Sequence, residues 1–72
     1  MDYVLIIRSD EGIEVELFSS YDKAADWVLD ECLGPGFDRE SEEAKAIVKS
    51  LADEGYYDNY GVEYTIMEKI VR

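Results

Sequence analysis

The side chains of this sequence that could do chemistry are mostly carboxylates. Eighteen Asp and Glu residues face seven Lys and Arg in 72 residues, which gives a net charge of −11, and there is no histidine. Without histidine, the commonest general base and the usual partner of a nucleophile are both missing. Carboxylate pairs are abundant, but none stands out from the rest as an acid–base pair. The sequence therefore predicts a protein that is not an enzyme.

Thiol and metal chemistry are not indicated either. Cys32 lies on the apolar side of a predicted helix, near its C-terminus and beside Asp30 and Glu31. Such surroundings raise the pKa of a thiol, so we expect a packed structural cysteine. A calcium loop needs acids at alternate positions, with glycine sixth and glutamate twelfth, and the acids around 53–58 do not meet that register. No metal site and no cofactor are predicted.

The acids of the first predicted helix are spaced to form a row. Asp22, Asp26 and Asp30 are four residues apart, which sets successive carboxylates about 6 Å apart along one face, and Glu31 joins them. Like charges at this spacing destabilise a helix by a few tenths of a kcal/mol per pair, and acids at a helix C-terminus oppose the macrodipole. A row that weakens its own helix favours a binding role. The alternative is a solvated face kept acidic for solubility or for high salt.

Two strand acids and a group of aromatics are further candidates for a binding surface. The segment 13–17 alternates strictly, which predicts Glu14 and Glu16 on the solvent face of a strand. Four of the six tyrosines cluster around a loop that carries Asp58, and tyrosine is enriched in interfaces. For Trp27 and for each tyrosine, the alternative is a place in the core or at its edge. The predicted partner-binding residues are Glu14, Glu16, Asp22, Asp26, Trp27, Asp30, Glu31, Tyr57, Asp58 and Tyr60.

Three strands and two helices are predicted to position these groups. The segment 3–8 is apolar on both alternating sets, which indicates a central strand covered on both sides, and 9–12 is a turn into the strand 13–17. The first helix begins after Ser19 or Ser20, with Ser19-x-x-Asp22 as a capping box, and stops at Gly34. A second helix spans about 40–54. A third strand follows a loop and covers 62–66, with a bulge or a frayed end over 67–71.

The order β-β-α-α-β predicts one α+β domain over residues 1–72, a three-stranded sheet with two helices on one face. We place the first strand in the middle, antiparallel to the second and parallel to the third. A sheet of order 1-2-3 is the alternative. A chain this short buries only about 60% of its unfolded surface, so we expect a modest core and no deep cleft.

The charge and the sequence patterns also limit the classes of partner and the cellular compartment that we expect. So few bases disfavour direct binding to nucleic acid or to an anionic membrane. No apolar run is long enough to span a membrane, the N-terminus has no signal-peptide pattern, and a single cysteine cannot form an internal disulfide. These features predict a cytoplasmic protein.

A small, strongly acidic α+β chain with carboxylate rows and exposed aromatics resembles the phage-borne inhibitors of bacterial defence, which include anti-CRISPR proteins and nucleic-acid-mimic antirestriction proteins. The resemblance is one of charge, size and economy over the whole chain. No family motif matches residue by residue, so no functional residue is carried over. The resemblance implies a protein, in the cytoplasm of a bacterial host, that occupies a basic groove and excludes DNA or guide RNA.

Two hypotheses of function follow. The first is an inhibitor that binds the basic surface of a nucleic-acid-binding protein, such as a CRISPR effector complex, through acids and tyrosines. The second is a small interaction module, an immunity-like or antitoxin-like partner or a homodimeric adaptor. That module would use Tyr3, Val4 or Ile6, because the first strand is apolar on both sides and the helices cover only one. The chain is accordingly expected to be a monomer or a homodimer.

Overall fold

The computed structural model of this chain describes residues 2–69, which form an α+β fold of two helices and four strands. The elements in chain order are β1 (Tyr3–Ser9), β2 (Gly12–Phe18), α1 (Tyr21–Leu33), α2 (Glu42–Asp53), β3 (Tyr57–Asn59) and β4 (Val62–Glu68). The described residues contain no helix of the length and apolar character needed to cross a membrane.

The strands form one sheet of order β2-β1-β4-β3, in which every neighbouring pair is antiparallel. The central place of β1 is confirmed. The predicted count of three strands and the parallel direction of the last strand are wrong, and both errors come from β3. This strand has only three residues, and its Asp58 and Asn59 are poor strand formers. It turns into β4 at Tyr60 and Gly61, which both have positive φ, as a type I′ hairpin requires. The extra reversal makes β4 antiparallel to β1.

The helix boundaries follow from local hydrogen bonds. Ser20 caps α1, because its side-chain oxygen accepts a 3.2 Å bond from the backbone N–H of Lys23, so the predicted Ser19-x-x-Asp22 box does not form the cap. The helix ends where predicted, at Gly34, whose N–H donates to the Asp30 carbonyl. Ser41 caps α2 in the same way, so this helix begins at Glu42, two residues later than the predicted start near Glu40.

The core lies between the two helices and one face of the sheet, which we call the helix face. The buried side chains of this core are Leu5, Ile7 and Tyr64 from the sheet, Val28 and Leu29 from α1, and Ala44, Ile47 and Leu51 from α2. Burying a Leu, Ile or Val side chain fully stabilises a fold by about 1.5–3 kcal/mol, and half-buried side chains such as Trp27 and Ile66 pack against this set and add to it. Cys32 and Val48 are half-buried and pack against this core, and Tyr21 is also half-buried.

The end of β4 departs from the predicted bulge. Its pairing with β1 continues in one register as far as the pair Tyr3 and Glu68, and the Lys69 N–H then donates to the Asp2 carbonyl. The remainder of the predicted irregular segment, Ile70 and Val71, lies outside the described residues.

Candidate interaction surfaces

The sheet has a second face, opposite the helices, which we call the open face. Directly paired residues of antiparallel strands share a face. Val4 pairs with Leu17 and Met67, and Ile6 pairs with Val15 and Thr65, so these side chains lie together on the side away from the helices. The strand residues on the open face are Val4, Ile6, Arg8, Ile13, Val15, Leu17, Asp58, Glu63, Thr65 and Met67.

The strand β2 is turned over relative to the prediction. Glu14 pairs with Ile7 and Glu16 pairs with Leu5, so both acids are on the helix face. The apolar set that was expected to point at the core is on the open face instead, with Ile13, Val15 and Leu17 exposed by 64%, 58% and 61%.

Turn geometry explains this inversion. Strict alternation decides which side chains share a face, but a shift of one residue in register exchanges the two faces. Here Ser9 pairs with Gly12 across the Asp10-Glu11 turn, and that register sets the glutamates on the helix side. Because β2 is an edge strand, Glu14 and Glu16 remain exposed there, and neither carboxylate is buried.

The acid row on α1 forms as predicted, since residues 21–33 are helical throughout. Asp22, Asp30 and Glu31 are exposed, whereas Asp26 is half-buried and forms an ion pair with Arg39. Within residues 2–69, Arg39 is the only base in an ion pair with this row. Lys23, the base within the α1 sequence, donates from its Nζ to the Ser19 hydroxyl at 3.0 Å.

The strand acids lie on the half of the helix face that α1 covers. α1 packs against β1, β2 and β4, whereas α2 packs against β3 and β4, so α1 is the helix on the β2 side. Glu14 and Glu16 therefore project from the helix face beside α1. We call the two strand acids and the four acids of α1 the acidic side, of which Asp22 also lines the groove between α1 and α2 with Lys45 and Lys49. Its six members are Glu14, Glu16, Asp22, Asp26, Asp30 and Glu31.

A shallow hollow joins the acidic side to the aromatics. It is lined by Phe18, Lys23, Asp26, Trp27, Asp30, Phe37 and Arg39. Trp27 is half-buried and packs edge to face on Tyr64, with ring centroids 6.4 Å apart, so it is a core-edge residue that also lines the hollow. Sequence reasoning missed Phe37 and Arg39, which lie in the irregular segment between the helices, where no periodicity places a side chain.

The tyrosine group lies elsewhere. β3 is at the opposite edge of the sheet from β2, so Tyr57, Asp58 and Tyr60 do not join the acidic side. Tyr57 is half-buried against the core, and burial raises its pKa. The Asp58 carboxylate accepts a 3.1 Å bond from the Gly61 N–H and thereby stabilises the turn. Tyr60 alone is fully exposed.

Cys32, at the margin of the core, lies beside the buried Tyr64. Burial raises the pKa of the Cys32 thiol, and the negative charge of the nearby Glu31 raises this pKa further. The hydrogen bond with Tyr64 acts in the opposite direction and lowers it. Burial, together with Cys32 and Glu31, raises the pKa of Tyr64 to about 12. A thiol with a raised pKa stays protonated near neutrality and is a weak nucleophile.

Among residues 2–69, no group of three or more Cys, Asp or Glu side chains is arranged to hold a metal ion. Comparison of the chain with protein-family models, with curated proteins and with solved structures found no match.

Proposed function

We propose that this chain is a non-enzymatic inhibitor that binds the basic, nucleic-acid-binding surface of a protein of bacterial defence, such as a CRISPR effector complex. The observation that carries the proposal is the placement of Glu14 and Glu16 beside the α1 row. It adds two strand carboxylates to the half of the helix face that α1 covers, and within the described residues only Arg39 forms an ion pair with these six acids, although Lys45 and Lys49 line the groove between the helices with Asp22.

The acidic side suits a target that evolved to hold phosphates. Its helix carboxylates are about 6 Å apart and its strand carboxylates about 7 Å apart, so several Lys or Arg side chains can be engaged at once. A concentrated negative field also steers a basic partner and speeds association, an effect that salt weakens. In the hollow, the Trp27 ring and Phe18 can pack against the stem of a bound Lys or Arg.

Capture from a bacterial lysate at low and at high salt, with the retained proteins identified, tests this proposal first. We expect one nucleic-acid-binding complex, which either salt or added duplex DNA releases. The purified complex then serves in a displacement assay, in which the chain competes with fluorescent duplex DNA. Retention that is insensitive to salt, with DNA still bound, would contradict the proposed mechanism.

Charge reversal locates the contact. The triple variant Asp22→Lys, Asp26→Lys, Asp30→Lys should weaken displacement of DNA by about tenfold or more. A control triple changes the net charge equally but lies on the β1–β2 turn and the end of α2: Asp10→Lys, Glu11→Lys, Asp53→Lys. Equal losses in both triples would show that total charge, not the acidic side, governs binding.

A second candidate function is the interaction module, and the open face favours it. Four large apolar side chains on this face, Ile13, Val15, Leu17 and Met67, are more than half exposed. Contiguous apolar patches of this kind on small proteins are commonly binding sites. Tyr3 does not belong to this surface, contrary to the prediction, because it lies on the helix face and packs edge to face on Tyr21.

A further inference from the structure

The open face is an apolar surface that the helices leave uncovered, and it holds four of the six exposed large apolar side chains among residues 2–69. Ile13, Val15, Leu17 and Met67 are exposed by 64%, 58%, 61% and 53%, and they flank the half-buried Val4 and Ile6. The pairing of Val4 with Leu17 and Met67 makes the patch continuous across β2, β1 and β4. An isolated exposed apolar side chain is ordinary, whereas a continuous patch over three strands points to a partner.

The few charges on the open face limit the kind of partner that it can bind. Of the charged side chains in the strands, only Arg8, Asp58 and Glu63 lie on the open face, although the chain as a whole carries −11. Arg8 and Glu63 form an ion pair at 3.9 Å, and the Asp58 carboxylate accepts a bond from the β3–β4 turn. A strongly charged partner therefore finds no array of opposite charge on this face. An apolar and nearly neutral surface fits best, and a second open face is such a surface.

We propose that the open face binds a second copy of this chain, with the two sheets stacked face to face and both helix layers outward. Stacked sheets pack about 10 Å apart. Each helix layer adds about 10 Å, so the acid rows of the two copies are on the order of 30 Å apart. The Debye length at physiological salt is about 8 Å, so repulsion between the two acidic sides is largely screened.

The size of the face sets the strength of the dimer. Three strands of seven residues span about 23 Å by about 14 Å, a footprint of roughly 300 Å² before the side-chain relief is counted. A standard stable complex buries about 800 Å² of accessible surface per partner, so a dimer built on this face alone is smaller than that class and is expected to be weak. We expect a dissociation constant in the micromolar range.

Stacking is favoured over edge-to-edge pairing of two β2 strands. Pairing about a two-fold axis, with the helices of both copies on one side, sets Glu14 opposite the Glu14 or the Glu16 of the second copy. Like charges directly opposite one another destabilise strand pairing, and charged side chains commonly protect edge strands in this way. The acids of β2 therefore disfavour pairing at its edge, while the apolar side chains of β2 contact the second copy.

Sedimentation equilibrium across a concentration series up to about 1 mM tests the proposal. We expect the mass to rise toward twice the 8.3 kDa of one chain, and the association to persist or tighten in high salt, because apolar contacts drive it. A monomer throughout the series would overturn the proposal, as would a dimer that salt dissociates. The opposite response to salt is expected of the acidic side, so the two proposals can fail separately.

Matched variants identify the face. Val15→Lys should weaken the dimer at least tenfold, and Leu17→Gln should do so without a change in charge. Glu14→Gln alters the net charge by the same amount as Val15→Lys but lies on the helix face, and it should leave the dimer within about twofold. Far-UV circular dichroism verifies that each monomer is folded, which we expect because Val15 and Leu17 are exposed in the monomer. A dimer sensitive to Glu14→Gln but not to Val15→Lys would overturn face stacking.

Discussion

The two faces of the sheet carry similar apolar side chains, but the helices cover only one of them. On the helix face, Leu5, Ile7 and Tyr64 are buried by two helices. On the open face, Val15 and Leu17 are equally apolar but remain more than half exposed. The difference shows that apolar composition alone does not measure a core. Part of the 47% hydrophobic content of this chain forms a surface, and it lies opposite the side on which the acids are gathered.

The same leucine substitution on each face gives the largest expected contrast. Leu5→Ala opens a cavity in the core and should lower the free energy of unfolding by about 3 kcal/mol, because Leu5 is completely buried. Leu17→Ala removes a side chain that is 61% exposed and should cost about 0.5 kcal/mol or less in the monomer. Urea unfolding at low protein concentration measures both. Equal losses would mean that the open face is covered within a single chain.

The pH dependence of stability tests the burial of Tyr64 on the helix face. The pKa of Tyr64 is raised to about 12 by burial, whereas an unfolded tyrosine has a pKa of about 10. Above pH 10 the unfolded state therefore loses this proton first, so the free energy of unfolding should fall from about pH 10 to about pH 12 by roughly 2 kcal/mol. Below pH 10 the contribution of Tyr64 is fully present.

Tyr64→Phe is the control for this pH dependence. Its unfolding free energy, measured by urea titration at several pH values, should decline less steeply above pH 10 than that of the original chain. Tyr21, Tyr57 and Cys32, whose pKa values are also raised, account for the slope that remains in the variant. Parallel curves for the two proteins would contradict the assignment to Tyr64.

Much of the fold could be predicted because its signals are local. Both helices are marked by serine caps at their starts and by glycines at or near their ends, and the double-sided apolar pattern of β1 indicates a central strand. The short strand β3 could not be predicted, because its pairing with β4 depends on a long-range sheet and not on its own composition. Missing it also reversed the expected direction of the last strand.

The candidate surfaces were less predictable, for a related reason. Helical periodicity alone brings Asp22, Asp26 and Asp30 together once α1 forms. The face taken by Glu14 and Glu16 depends on turn register, which alternation leaves undetermined. Proximity in sequence also does not tell which sheet edge a segment occupies, and so the position of the tyrosine loop at the β3 edge, away from the acid row, could not be predicted.

A pair of neutralising substitutions tests whether the acid row weakens its own helix. Asp30→Asn removes an acid from the last turn of α1, which has no basic residue, and should raise the free energy of unfolding by about 0.5 kcal/mol. Asp22→Asn should be nearly neutral. Asp22 is in the first turn, where the macrodipole favours an acid, and losing that benefit offsets the relief of repulsion with Asp26.

Chemical denaturation at low and at high salt compares the two substitutions. The gain from Asp30→Asn should shrink in high salt, since both contributions are electrostatic. Equal gains at the two positions would show that the ends of α1 do not differ, and that charge on the acidic side affects stability only through the total.

The smallest expected effect lies at the boundary of the helix face, where Tyr21 packs edge to face on Tyr3 with ring centroids 5.9 Å apart. The Tyr21 hydroxyl is buried and has no hydrogen-bond partner among residues 2–69. An unsatisfied buried hydroxyl destabilises the native state, so Tyr21→Phe should raise the free energy of unfolding by up to about 0.5 kcal/mol while keeping the ring contact. Tyr3→Phe, on the same aromatic pair, should change stability by less, because this substitution does not remove a buried hydroxyl that lacks a hydrogen-bond partner. If Tyr21→Phe instead lowers stability while Tyr3→Phe does not, the Tyr21 hydroxyl is satisfied in solution. The margin of the helix face would then be hydrated, and only the deeper layer around Leu5 and Leu29 would be dry.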